Sequence, residues 1–314
     1  MNIKEILRKL KKIYIYFTST HAYYKGIKLS DSHCEYLAHF IADKMNVDCD
    51  LNKIALFSAS SLPEILRLER RPIKIFYTIE NVHVFESYWE RWENLHLHKY
   101  APALSVGFDY CVHPRYIRFP YWLERPLGNF ETKEGIAKFV REHNYSDFTN
   151  RTKACAFICR MDYFGDRAMF ADLVAQLMPM SYPSDFRHND DDMRGKFKDD
   201  KNAYLSQFKF NLCPENTNNK GYVTEKIFEA IQAGCVPIYW GNEGYPEPEV
   251  LNPKVIVYLD KEHPEDGLAL LRKLYEDPKA YEEFASQPRF MPGAEEKIYA
   301  YYERLENKIK DILQ

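Results

Sequence analysis

Three consecutive residues, Thr224, Glu225 and Lys226, place a hydroxyl, a carboxylate and an ammonium group at the expected start of a helix. The free backbone N–H groups and the dipole at a helix N-terminus favour an anionic ligand. An ammonium group suits a phosphate, and a carboxylate suits the hydroxyls of a ribose. The pattern therefore predicts a site for a nucleotide diphosphate. The competing interpretation is an ordinary βαβ unit whose Glu-Lys pair is exposed to solvent.

The elements that would position these residues lie between Phe208 and Gly241. FKFNL and CVPIYWG are short apolar runs typical of buried strands, and PENTNNKG has the composition of a loop. Residues 223–234 carry apolar side chains at helical spacing, and Gly234 is expected to end this helix. The segment is therefore predicted to fold as strand, loop, helix and strand.

The run YVTEKIFEAIQAGCVPIYWG, preceded by PEN, resembles the signature of the α-1,3/4-fucosyltransferases, which form glycosyltransferase family 10. The resemblance implies an α/β fold of GT-B architecture, in which two Rossmann-like domains with parallel sheets face a cleft. It also implies that L-fucose is transferred, with inversion, from GDP-β-L-fucose to a sugar hydroxyl.

The same resemblance suggests which residues bind the donor. In the family an arginine begins the first helix of the second half, and Arg167 in FGDRAMF fits that position after the strand-like ACAFIC. The preceding loop departs from the usual Ser-Asn-Pro-Asn pattern, so Arg160 competes for the role of phosphate clamp. Glu225 is expected to hold the ribose, and Lys226 the leaving group. Asn216 and Tyr222 match donor-site positions, whereas Pro214 stands where an aromatic residue is common and leaves the shape of the loop open.

Inverting transfer needs a base that removes the proton of the acceptor hydroxyl. Glu80, in FYTIENVHVFES, follows the predicted strand IKIFYT at the carboxyl edge of the sheet, where sites of α/β proteins gather. This segment resembles the family's Phe-Tyr-Thr-x-Glu-Asn, whose glutamate is regarded as the general base, and GFDYCVHPRYIRFPYW continues the resemblance. The alternative is a carboxylate that caps a loop. Glu86 and Glu90 are glutamates nearby in the chain that are not expected to be the base.

Four aromatic residues follow the expected base and are candidates for acceptor binding: Phe85, Tyr88, Trp89 and Trp92. Aromatic faces stack on sugar C–H surfaces and exclude water, which suggests an acceptor-binding lid. An amphipathic helix that seals the first domain explains the cluster equally well. The family leads us to expect O3 of GlcNAc or Glc as the acceptor hydroxyl.

Composition excludes several classes of protein. The net charge of −3 argues against a nucleic-acid binder, and seven cysteines without paired spacing argue against a zinc site and favour a reducing compartment. The acidic segment at residues 188–195 is expected to be a solvated loop, and His96 and His98 lack a third ligand. We therefore expect no metal site and no required cofactor, a divalent metal being at most stimulatory.

The chain is expected to divide at the polar segment 133–153. Residues 1–150 would form the acceptor-side domain, residues 151–295 the GDP-sugar-binding domain, and residues 296–314 a C-terminal helix. Residues 4–12 are rich in Lys and Arg and lead into KIYIYF, which is predicted to begin a strand. A membrane-targeting role for this basic segment is the weaker interpretation.

No run of about 18 apolar residues occurs, so a cytoplasmic enzyme is expected, with weak peripheral association at the inner face of the cell membrane as a further possibility. The expected partners are GDP-fucose and an oligosaccharide or lipid-linked glycan, and no nucleic acid. Two rival functions stay open. One is transfer from another GDP-sugar such as GDP-L-galactose, and the other is glycan binding without catalysis.

Overall fold

The computed structural model of the protein describes residues 3–19, 22–61, 63–84, 101–125, 127 and 131–314. The chain folds as two compact units. The first comprises Met1–Phe119 together with Tyr301–Gln314, and the second comprises Pro120–Ala300. All seven cysteines are free thiols.

The sheet of the first unit follows the order of the chain, from β1 to β6 within the described residues. β1 and β2 form an antiparallel hairpin, and the other neighbouring strands are parallel. The strands are β1 (Tyr23–Tyr24), β2 (Ile27–Leu29), β3 (Ile54–Phe57), β4 (Ile73–Tyr77), β5 (Leu104–Gly107) and β6 (Tyr116–Arg118). The helices are α1 (Ile3–Thr18), α2 (Glu35–His39), which continues as a π-helical turn over Phe40–Lys44, and α3 (Pro63–Leu68).

The sheet of the second unit is parallel throughout and has the order β11-β10-β9-β7-β8. Its strands are β7 (Lys153–Ala156), β8 (Met180–Ser181), β9 (Phe208–Leu212), β10 (Val236–Tyr239) and β11 (Val257–Tyr258). The helices are α4 (Lys133–His143), α5 (Asp166–Ala175), α6 (Asp192–Gly195), α7 (Lys201–Leu205), α8 (Glu225–Gln232), α9 (Glu265–Glu276), α10 (Pro278–Ala285) and α11 (Ala294–Leu313), whose residues from Tyr301 belong to the first unit.

The predicted strand, loop, helix and strand between Phe208 and Gly241 are confirmed as β9, α8 and β10. Gly234 follows α8 with a φ of 77°, in the left-handed conformation expected after a helix C-terminus. A Cβ atom there would lie 2.2 Å from the Nη2 of Arg151. Glycine is therefore needed for both its conformation and its close contact with this buried arginine.

Two expectations about the first half of the chain differ from the structure. KIYIYF is not a strand, because it forms the second half of α1. A strand requires alternation, whereas Leu7, Leu10 and Tyr14 already set a helical period that continues through this segment.

The division of the structure at Phe119 also differs from the boundary expected near residue 150. Residues 120–150 contribute to the core of the second unit. Trp122 stacks on Phe228 of α8 at a centroid distance of 4.4 Å. The polar surface of α4 conceals an apolar side, on which Ile136 and Phe139 are fully buried. The polar composition that suggested a linker between domains therefore belongs to an amphipathic helix, α4.

Candidate active site

The strand order of the second sheet reverses at β7. β8 follows β7 in the chain and lies on one side of it, whereas β9 lies on the other side. Ligands of open α/β sheets bind outside the carboxyl ends of the strands at such a switch point. The residues that follow β7 and β9, and those that begin α8, are the ones whose types suggested phosphate chemistry.

A buried carboxylate organises this edge of the sheet. Glu215 follows β9, is 0% exposed, and accepts hydrogen bonds from the backbone N–H of Thr224 at 2.7 Å and from its hydroxyl at 2.6 Å. It also accepts a bond from the Nζ of Lys226 at 3.0 Å. Glu215 therefore binds the N-terminus of α8 and fixes the ammonium group of Lys226 at that end of the helix.

Gly241 makes room for this carboxylate. Its φ of 142° lies in the region that favours glycine, and a Cβ atom would approach the Cγ of Glu215 to 2.7 Å. A side chain at residue 241 would therefore displace Glu215 from the bonds it makes to α8.

The electrostatic environment keeps Lys226 positively charged. Burial alone would lower the pKa of its ammonium group, but the carboxylates of Glu215 and Glu225 outweigh that effect and raise the pKa. For Glu225, burial would raise the pKa, but the neighbouring Lys226 lowers it overall. A fixed cation and a fixed anion therefore lie side by side at the start of α8, as a phosphate and a ribose diol would require.

Arg167 joins the same cluster from the first turn of α5. Its Nη1 donates to the Oδ1 of Asn216 at 3.0 Å, and its Nε lies 3.8 Å from the Oδ1 of Asp162. Arg167 is 9% exposed, and its Nε is a buried donor that meets no hydrogen-bond acceptor among the described residues. Arg160, the competing candidate, is exposed. The structure thus brings Arg167 to the residues that follow β9.

Arg167 and Lys226 line one small cavity of about 50 Å³. Glu225, Pro214 and Cys213 line it as well. A space of this size holds a few water-sized groups, so it admits only part of a nucleotide. Tyr222 is buried in the loop before α8 at 2% exposure.

Glu80 lies in the first unit, three residues beyond the end of β4, and is half-buried. The hydroxyl of Thr78 accepts from the backbone N–H of Glu80 at 3.1 Å and donates to its carbonyl oxygen at 3.0 Å. These two bonds fix the backbone that carries the carboxylate. Nearby, the Nε2 of His83 pairs with the Oδ1 of Asp109 at 2.6 Å.

Sequence reasoning did not single out Glu215, His83 or Asp109. Glu215 had a signal, because it is an acidic residue directly after a buried strand and belongs to the PEN that precedes the helix. The His83–Asp109 pair had none, because its members are 26 positions apart and meet only through the parallel pairing of β4 with β5.

Residues 149–291 match the model of the C-terminal domain of glycosyltransferase family 10, the fucosyltransferases. This part of the chain is a family 10 domain. The family expected from the Phe208–Gly241 segment is thereby confirmed, and the matched residues include every donor-site candidate.

Among curated proteins, the chain is similar to the α-(1,3)-fucosyltransferase FucT of Helicobacter pylori, with 27% identity over 235 residues. That match covers 66% of this chain and 45% of the relative. A putative fucosyltransferase-like protein of Arabidopsis thaliana is 33% identical over 135 residues, which are 42% of this chain and 25% of the relative. The chain thus spans less than half the length of these two relatives.

Two solved structures share the fold. An α1,3-fucosyltransferase structure has a TM-score of 0.55 at 21% identity, and the match covers 97% of this chain and 87% of that one. A second, described as an α1,3-fucosyltransferase with GDP-fucose, has a TM-score of 0.52 at 23% identity, covering 80% and 77% of the two chains. The expected fold, with two Rossmann-like α/β units of the GT-B class and a C-terminal helix, is confirmed.

The acceptor candidates Phe85, Tyr88, Trp89 and Trp92 lie outside the described residues, as do His96 and His98. The acidic segment 188–195 is only partly the solvated loop expected. Asp190 accepts from the hydroxyl of Tyr204 at 2.8 Å and lies 3.4 Å from the Nζ of Lys153, because the segment folds back beside β7. In the part of the chain that is described, no group of three or more His, Cys, Asp or Glu residues is arranged to hold a metal ion.

The carboxyl edge of the first sheet borders a larger cavity of about 500 Å³. Residues that follow β2 and β3 line it, among them Ser30, Asp31 and Ser60, and Tyr16 of α1 contributes an aromatic side chain. Asp31 accepts from the hydroxyls of Ser58 at 2.5 Å and Ser30 at 3.1 Å. Hydroxyl and carboxylate groups thus dominate the polar wall of this cavity.

Proposed function

We propose that the protein is an inverting fucosyltransferase, which moves L-fucose from GDP-β-L-fucose to a hydroxyl of a glycan acceptor. The observation that carries this proposal is the cluster at the switch point of the second sheet. There Glu215 holds Lys226 at the N-terminus of α8, and Arg167 reaches Asn216 beside it. The similarity to family 10 and to the H. pylori α-(1,3)-fucosyltransferase supports fucose as the transferred sugar.

In this proposal the diphosphate of the donor is bound by Arg167, Lys226 and the N-terminal N–H groups of α8. These groups are fixed before the reaction, so they stabilise the charge that develops on the leaving GDP without reorganising. Glu225 accepts hydrogen bonds from the ribose hydroxyls. Asn216 orients Arg167, and Tyr222 shapes the loop that contacts the donor. The diphosphate leaves as a stable anion, so the reaction needs neither an acid catalyst nor a metal.

Glu80 is the proposed general base. The oxygen of the acceptor hydroxyl attacks C1 of fucose from the side opposite to the diphosphate. A C1–O bond forms, the bond from C1 to the phosphate oxygen breaks, and GDP keeps its electron pair. The hydroxyl proton passes to the Glu80 carboxylate. One displacement of this kind inverts the configuration at C1.

For the acceptor we propose O3 of a GlcNAc or Glc unit in an oligosaccharide or lipid-linked glycan. The cavity at the carboxyl edge of the first sheet supports a sugar ligand, since Asp31 and the serines around it supply hydrogen-bonding groups. Phe85, Tyr88, Trp89 and Trp92 stay a prediction for the acceptor side.

The test is incubation of the purified protein with GDP-fucose and a panel of acceptors that includes N-acetyllactosamine, lactose and lacto-N-biose. We expect GDP release that depends on the acceptor, and a fucosylated product with an α-linkage by NMR. GDP release from GDP-L-galactose but not from GDP-fucose would show that the donor is GDP-L-galactose. Binding of acceptor without GDP release from either donor would favour a glycan-binding protein instead.

A further inference from the structure

The first helix carries an apolar surface that the fold leaves exposed. Leu7, Leu10, Tyr14 and Phe17 follow one another at three- and four-residue spacing, so they share one face of α1. Their exposed fractions are 59%, 57%, 68% and 43%. We refer to these four residues as the apolar face of α1.

The exposure of this face does not mean that α1 lacks packing contacts. Tyr16 is 3% exposed and belongs to a core cluster with Phe57 and Ile65, and Ile13 packs against the same cluster. The Nζ of Lys9 also lies 3.6 Å from Glu64 of α3. Helix α1 is thus attached to the first unit along one edge, and its apolar face is a separate surface.

Cations border this face. Lys4 and Lys11 lie three residues before and four residues after Leu7, which places one on each side of it along the helix, and Arg8 and Lys12 extend the same positive surface. Glu5 is the one acidic residue of α1. The whole chain has a net charge of −3, so the positive charge of α1 is local.

We propose that α1 docks the protein on an anionic lipid bilayer, with the apolar face inserted among the acyl chains near the headgroups and the flanking cations against the lipid phosphates. A basic amphipathic helix with aromatic and leucine residues on its other face is suited to lie in the plane of such an interface. Helix α1 has 16 residues and five cations, so it is suited to lie on a membrane, and none of the described helices is long and apolar enough to cross one.

Charge distinguishes the bilayer from the other occupant that an apolar face suggests, a second copy of this chain. Two copies that met through α1 would bring two sets of Lys and Arg side chains together, and like charges at an interface oppose association. Anionic headgroups complement the same residues, and each Lys or Arg near such a surface increases the affinity severalfold. The proposal does not depend on fucosyl transfer.

The experiment is flotation of the full chain with vesicles of phosphatidylcholine alone or of an equal mixture with phosphatidylglycerol, at low and high salt. We expect binding to the mixed vesicles, weaker binding at high salt, and little binding to phosphatidylcholine. The Lys4→Ala/Lys11→Ala variant should lose about 25-fold in partitioning, about fivefold for each charge. Lys133→Ala/Lys138→Ala removes two exposed charges from α4 and should bind as the unchanged protein does.

A second pair of variants tests the apolar face itself. Leu7→Gln/Leu10→Gln should lower partitioning by at least about tenfold, because two exposed leucines no longer enter the acyl region. Tyr14→Gln should also weaken binding, whereas Tyr145→Gln, which changes a tyrosine of similar exposure in the second unit, should not. Since these side chains are exposed, circular dichroism should show unchanged folding.

Three outcomes would overturn the proposal. The first is no binding of the unchanged protein to the mixed vesicles. The second is equal binding by the Leu7→Gln/Leu10→Gln variant. The third is a dimer in sedimentation velocity that this variant abolishes, together with no vesicle binding, which would assign the apolar face to a second copy.

Discussion

Both sheets of the molecule end in polar residues at their carboxyl edges, but the two edges are built differently. In the second unit, Lys226 pairs with a fully buried carboxylate, Glu215, and Arg167 bonds to the adjacent Asn216, beside the switch point between β7 and β9. In the first unit the described strands follow the order of the chain, and Asp31, a carboxylate beside the cavity at this edge, has a side chain that is 24% exposed. The first edge borders a cavity of about 500 Å³, and the second a cavity of about 50 Å³.

The difference suggests that the two edges have different functions. Cations held in fixed positions by a buried network are suited to stabilise the charge of a leaving diphosphate, because that charge develops at one place in every turnover. A wide cavity with hydroxyl groups is suited to bind a sugar through several modest contacts. The second edge should therefore tolerate little change, and the first edge more, with Glu80 as the exception.

Glu80→Gln is expected to produce the largest effect. The amide keeps the size of the side chain but does not accept a proton, so kcat should fall about 10²- to 10⁴-fold, the usual contribution of a general base. GDP affinity, measured by calorimetry, should stay unchanged. Glu86→Gln, six residues later in the chain, is the matched control and should retain activity. An active Glu80→Gln enzyme would break the assignment of the base to the first unit.

Arg167→Ala should have the next largest effect. Removal of one preorganised group that stabilises the transition state costs about 10²- to 10³-fold in kcat. Arg160→Ala provides a close control, because Arg160 is exposed in the same β7–α5 connection. The measurement is the rate of GDP release at saturating and limiting GDP-fucose. Equal losses in the two variants would mean that the contact between Arg167 and Asn216 does not identify the phosphate clamp.

The sequence predicted the second edge better than the first for a physical reason. Thr224, Glu225 and Lys226 are adjacent in the chain, and a single helix start places all three, so local pattern was enough. The role of Glu215 needed a contact across nine residues, and the His83–Asp109 pair needed the register of two parallel strands. Register and long-range contacts are not encoded in local periodicity.

Helix α1 shows the same limit in another form. KIYIYF is rich in β-branched and aromatic residues, which favours a strand locally, but the helical period set by the preceding residues continues through it. Local propensity was correct for β3, β4 and β9, where all or most side chains are buried between other elements. At α1, exposed along one side, amphipathic periodicity determined the structure.

Glu215→Gln tests how much the second edge depends on its buried carboxylate. The amide removes the carboxylate that is bonded to the ammonium group of Lys226 and should lower the free energy of unfolding by about 3 to 5 kcal/mol, as expected when one partner of a buried pair is removed. Urea denaturation measures the loss. The Glu215→Gln/Lys226→Gln double variant should recover part of it, since the ammonium group that lost its bonded carboxylate is also removed. A single variant as stable as the unchanged protein would show that the network is not what holds α8.

Two carboxylates of α8, Glu225 and Glu229, should have opposite effects on the pH dependence of stability. The pKa of Glu225 in the folded state lies below its ordinary value of 4.5, mainly because Lys226 outweighs the effect of burial. Its contribution to stability is therefore present above pH 4.5 and is lost as the pH falls through the lowered value. Burial raises the pKa of Glu229, so its ionisation reduces stability as the pH rises from 4.5 through the raised value. Urea midpoints measured from acid to neutral pH should change less steeply in Glu225→Gln and more steeply in Glu229→Gln.

Asp31→Ala should have the smallest effect and completes the comparison. Asp31 caps the short 3₁₀ turn Ser32–Cys34 through the backbone N–H of His33, at 3.0 Å, and accepts two serine hydroxyls. Loss of such a cap costs about 1 kcal/mol, well below the loss expected at Glu215, because the partners left behind at this open edge reach water. If the cavity binds the acceptor, the variant should also raise the acceptor KM while the donor KM stays constant. A stability loss as large as that of Glu215→Gln would mean that both edges are equally rigid, and the proposed division between them would fail.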